Sequence, residues 1–93
     1  MASSTLYFKM KDERVEWLGS RFFKYDMQNR DVLQVCFGSG EPRRGKGNNI
    51  GIYYIHNTTF LTNYFGPGYI EPIEQAQYEE KLSMMVAALT DKN

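Results

Sequence analysis

Hydrophobic and polar positions alternate along the first three quarters of the chain. Leu6-Tyr7-Phe8-Lys9-Met10 puts Leu6, Phe8 and Met10 on one side and Tyr7 and Lys9 on the other, the period-two pattern of a strand. Phe22 to Met27 repeats it, with Phe23, Tyr25 and Met27 opposed to Phe22, Lys24 and Asp26. Gln28-Asn29-Arg30-Asp31 is a polar tetrapeptide of the kind that closes a hairpin. Val32 to Phe37 continues the pairing, with Leu33, Val35 and Phe37 against Val32, Gln34 and Cys36. Ile50 to Ile55 and Thr59 to Phe65 read as two further strands separated by an Asn57-Thr58 turn, and Gly66-Pro67-Gly68 ends the run. Arg14 to Leu18 fits a short strand or a loop.

The period then changes. Glu71-Pro72 is a helix start signal, because proline tolerates the first helical position, and Glu71 and Glu74 suit the positive end of the helix dipole. Tyr78, Leu82, Met85, Val86 and Leu89 recur at three- and four-residue spacing and make one apolar stripe. The expected fold is therefore α+β: an antiparallel meander of four to six short strands packed on one C-terminal amphipathic helix at about 71–90. Residues 1–93 form a single domain in this reading, with a flexible, basic, glycine-rich loop at 38–49. The helix is expected to cover the sheet face bearing Leu6, Phe8, Phe23, Tyr25, Leu33, Val35, Phe37, Ile52 and Tyr54.

Composition narrows the function classes. The chain has 93 residues and balances eleven Lys+Arg with eleven Asp+Glu, so it lacks the basic excess of a general polyanion binder. The charge is uneven: residues 1–46 carry nine basic and six acidic side chains, whereas residues 47–93 carry two and five. One cysteine forms no internal disulfide, and no run approaches the length of a membrane span. Met-Ala-Ser-Ser-Thr at the amino terminus lacks the apolar core of a secretory signal. The expectation is a cytoplasmic domain with no membrane association.

Chemistry is sparse. Gly40, Gly45 and Lys46 satisfy the spacing of a phosphate-binding loop, but Gly47 stands where Ser or Thr must hold magnesium, and the chain continues as a strand instead of opening a helix. Cys36 and His56 fall short of the three or four converging ligands a metal needs, and Cys36 sits in an apolar strand with nothing to activate it. No catalytic residue, metal ligand or cofactor is assigned. Aromatic residues, however, make up 15 % of the chain, seven of them tyrosines, which is more than one thin core absorbs. On the alternation alone, the face away from the helix carries Tyr7, Lys9, Lys11, Phe22, Lys24, Gln34 and Tyr53.

That face leads to two readings. The first is a non-enzymatic module that binds a protein partner, or a second copy of itself, through a sheet face or edge. The second is a single-stranded DNA- or RNA-binding domain, with Tyr7, Phe22 and Tyr53 stacking on bases while Lys9, Lys24, Arg43, Arg44 and Lys46 meet phosphates. Tyr25-Asp26 and Leu33-Gln34-Val35-Cys36-Phe37 resemble the strand pair of small KTSC domains, with Ile52-Tyr53-Tyr54-Ile55 the nearest counterpart of their central Tyr-x-Tyr. The outline from Phe22 to Val35, strands before a helix, resembles a PUR repeat. Both resemblances imply nucleic-acid binding, and the second implies pairing with another copy.

Overall fold

A computed structural model describes residues 4–13, 20–37 and 50–91. The expected strand over 14–18 and the loop 38–49 lie outside the described residues. Five antiparallel strands make one sheet: β1 (Thr5–Met10), β2 (Arg21–Asp26), β3 (Asp31–Phe37), β4 (Ile50–His56) and β5 (Ile70–Pro72), in the order β4-β3-β2-β1-β5. Between β4 and β5 lie α1 (Asn57–Phe60) and a π-helical turn (Leu61–Phe65), and after β5 comes α2 (Gln75–Asp91). The α+β architecture of a meander and a C-terminal helix is as expected. Its boundaries and faces differ in three places.

The first concerns the side each strand presents. Asp26 and Asp31 pair across the turn Met27–Arg30, so Tyr25 meets Val32, Phe23 meets Gln34 and Phe22 meets Val35. The Asp26 carboxylate fixes this turn by accepting from the backbone N–H of Gln28 (3.1 Å) and Asn29 (3.2 Å) and from Asn29 Nδ2 (2.8 Å), while Arg30 takes a left-handed φ of 60°. A pairing that joins 26 to 31 sets odd β2 positions opposite even β3 positions, whatever their polarity. Leu33, Val35 and Phe37 therefore lie on the same face as Phe22, not Phe23, and Ile52 and Tyr54 follow them. Hydrophobicity could not set the side, because both faces of β3 are apolar.

The second is Thr59 to Phe65, expected as a strand and found helical. The side chain of His56 starts the helix, its Nδ1 accepting from Thr58 N–H at 3.1 Å. Phe60, Leu61 and Tyr64 fall on one side of a helix as readily as they alternate in a strand, and here they cap the face of Phe8, Phe23 and Val32. Phe60 is fully buried among the rings of Phe23 (5.1 Å), Tyr25 (5.5 Å) and Phe8 (5.7 Å). The π turn closes with Gly66 N–H donating to Leu61 O at 2.7 Å; a Cβ on Gly66 would stand 2.8 Å from that oxygen, so the approach requires glycine.

The third is the start of the last helix. Ile70–Pro72 is a strand paired with Phe8–Met10, and α2 begins at Gln75. Pro72 ends a short edge strand, where its missing N–H costs nothing. Gln77 Oε1 reaches back to Glu74 N–H at 2.9 Å and caps the helix. From there α2 touches β1 through β4, burying Tyr78 and Met85 against Val35, with Tyr7, Phe22, Ile52 and Leu82 around them. Val86 and Leu89, expected in the stripe, are exposed. Each sheet face thus has its own core.

Candidate functional site

With both faces partly covered, the sheet also has two edges, and they differ. The β5 edge is three residues long and holds Pro72 and Glu71, the latter 3.5 Å from Lys9 Nζ. Short length, proline and a charged side chain are standard protection against strand addition. The β4 edge is seven residues long and bears no Lys, Arg, Asp, Glu or Pro. Among the described residues no strand lies outside it.

β4 also displays two adjacent tyrosines on opposite faces, Tyr53 exposed by 40 % and Tyr54 by 74 %. Tyr53 shares its face with Gly51, whose φ is +151°; a Cβ there would sit 3.2 Å from Tyr53 Oη and 3.3 Å from Cζ. Glycine therefore serves twice, adopting a conformation unfavourable to other residues and letting the Tyr53 ring lie close to the backbone. Beside it is a cavity of about 320 Å³ lined by Arg21, Gln34, Tyr53, Tyr54 and Ile55. Gln34 is 5 % exposed, and its Oε1 has no hydrogen-bond partner among the described residues. A smaller cavity of about 140 Å³, on the side of Tyr54 and Leu33, is lined also by Lys24, Asp26, Asn29 and Asp31.

The expected binding residues do not form one open array. Tyr7 pairs with Lys24 and Lys9 with Phe22 across β1 and β2, so these four do share a face, but it is the face under α2. The Tyr7 ring packs 5.4 Å from that of Tyr78; burial raises its phenol pKa, and the charge of Glu79 adds to the effect. Phe22 meets Phe37 edge-on at 5.9 Å, and the Lys81 ammonium lies 5.6 Å from its ring centre. Lys9 faces Glu71 and, at 4.0 Å, Asp12, while Lys24 is exposed. Tyr53 stands on the opposite face, paired with Gln34. Arg43, Arg44 and Lys46 lie outside the described residues. An outer face joining Tyr7, Phe22 and Tyr53 is thus corrected by the register.

Three residues of the cavity wall are not among the expected binding residues: Arg21, Gln34, which the alternation only places on the face away from the helix, and Tyr54, which it places under the helix. Gln34 carried a readable signal, as the lone polar side chain in Val32 to Phe37. Tyr78 is the other buried polar side chain of note, its hydroxyl donating to Leu33 O at 3.2 Å. Burial first, then the neighbouring Tyr7 and Tyr54, hold its phenol far above the ordinary range. Cys36 is buried and free. No group of three His, Cys, Asp or Glu side chains that could hold a metal ion occurs among the described residues, and none of their helices is long and apolar enough to cross a membrane. No family model, curated protein or solved structure matches the chain, and neither resemblance seen in the strands is carried further.

Proposed function

We propose that this protein is a small non-enzymatic binding module that acts through protein–protein interaction and self-associates along the outer edge of β4. The observation that supports this reading is the asymmetry between the edges: β5 is short, proline-bearing and charged, whereas β4 is long, uncharged and flanked by exposed tyrosines. An unpaired strand offers backbone donors and acceptors in a row, and an antiparallel copy satisfies them. A two-fold arrangement brings each β4 against its own sequence, and an uncharged strand meets itself with no like-charge repulsion. Tyr53 and Tyr54 then add aromatic area on both sides of the seam.

Sedimentation velocity across a concentration series tests the reading. The wild-type chain is expected to form dimers, and Tyr54→Lys, a change at a side chain that is mostly solvated, to weaken them at least tenfold while leaving the melting curve in place. A wild-type chain that stays monomeric up to its solubility limit would overturn the proposal.

A further inference from the structure

The end of α2 projects past the part of the sheet that supports the rest of it. Ile73, just before the helix, donates its N–H to Tyr7 O on β1 at 3.0 Å, and Tyr78 packs on the Tyr7 ring. Lys81 then lies over Phe22 of β2, and Met85 joins the cluster of Val35 from β3 and Ile52 from β4. These contacts carry the helix across the sheet towards the β4 edge. Leu89 follows Tyr78 by eleven residues and Met85 by four, so all three point the same way from the helix axis. Tyr78 and Met85 are 1 % exposed, yet Leu89 is 46 % exposed and Val86 beside it 48 %. The rise from Met85 to Leu89 is about 6 Å, more than the roughly 4.8 Å between neighbouring strands, and β4 is the last described strand on that side.

Tyr54 belongs to the same sheet face, paired with Leu33 and neighbouring Tyr78. Leu89, Val86 and Tyr54 thus make an apolar ledge at the β4 edge. From Leu82 to Thr90 the helix has no charged side chain, whereas Glu79, Glu80 and Lys81 precede that stretch; a helix end facing only solvent carries charges on its open sides. Symmetry and area identify the occupant. Antiparallel pairing of identical strands sets a two-fold axis perpendicular to the sheet, which keeps the α2 faces of both copies on one side, so the ledges meet. The seven-residue edge of β4, about 23 Å long and about 10 Å thick, offers roughly 230 Å², against about 800 Å² per partner in a stable interface. Edge pairing therefore needs flanking surface. We infer, resting on that pairing, that Leu89, Val86 and Tyr54 of one protomer pack on the same residues of a second copy, the two α2 ends closing over the β4 seam.

Sedimentation velocity on two variants, with amide exchange of β4 measured alongside, tests this. Leu89→Lys places a cation near the helix C-terminus, where the dipole favours it. It is expected to weaken the dimer at least tenfold while the dilute monomer melts as before. Leu89→Ala keeps the helix and removes apolar area, and is expected to weaken the dimer in the same direction. In a mixture of methyl-labelled and unlabelled chains, the Leu89 methyls are expected to show intermolecular NOEs to the Tyr54 ring of the other copy. Undiminished dimerisation of both variants, with the outer β4 amides still gaining protection as concentration rises, overturns the ledge and leaves edge pairing standing. A wild-type chain that stays monomeric, or dimers whose outer β4 amides exchange freely, overturns edge pairing and the ledge with it.

Discussion

Replacing Phe60 by alanine probes the part of the fold least expected from the alternation. Phe60 is the fully buried residue of α1, with ring neighbours from two strands: Phe8 from β1, and Phe23 and Tyr25 from β2. Removing such a ring from a packed site costs about 3–5 kcal/mol, the lost transfer energy plus a residual cavity. For a chain of 93 residues, total stability is of order 5–14 kcal/mol at typical values per residue, so the variant loses a large share of it. Phe65, also near this cluster but 51 % exposed, supplies the control, and Phe65→Ala is expected to cost less than about half as much. Urea titration followed by far-ultraviolet circular dichroism measures both. If Phe60→Ala costs under about 1 kcal/mol, or if the two variants are equally affected, the helical cover over this face is not what holds the core shut.

Two other stability measurements follow from buried polar groups. Gln34→Leu removes a buried acceptor that has no partner among the described residues and adds apolar surface, so it is expected to stabilise the fold by about 1–2 kcal/mol, read as a higher urea midpoint; a loss of stability would mean that the amide is satisfied. Tyr78→Phe deletes the hydrogen bond to Leu33 O and is expected to cost about 0.5–1.5 kcal/mol near neutral pH. Because burial holds the Tyr78 phenol above its ordinary value of 10.0, its neutral form is favoured by folding. Its contribution is therefore complete below pH 10 and declines as the unfolded chain ionises above that value, by up to about 1.4 kcal/mol per pH unit. Tyr78→Phe should flatten the alkaline limb of the stability curve, and an unchanged limb would contradict the assignment.

The fold class was legible because β1 to β4 alternate and α2 carries a separate period. What alternation could not show was the side of each strand. Val32, Leu33, Val35, Cys36 and Phe37 are apolar on both faces, so the register depended on the turn joining Asp26 to Asp31, and an odd-to-even pairing placed Tyr53 opposite Gln34 instead of beside Tyr7. Phe60, Leu61 and Tyr64 satisfy both periods, and the choice between them came from a tertiary demand: one face of the sheet still needed a cover. Pro72 likewise fits a helix start or an edge strand, and pairing with Phe8 decided it. The two tyrosines of β4 were visible, but their significance depends on β4 lying at an edge, which is a property of strand order and not of local pattern.

Hydrogen exchange of the β4 amides as a function of protein concentration tests the proposed edge pairing most directly. The account predicts that the amides of Ile50–His56 not bonded to β3 gain protection as concentration rises, whereas those on the outer side of Ile70–Pro72 do not. Rapid exchange of those β4 amides at every concentration would contradict it.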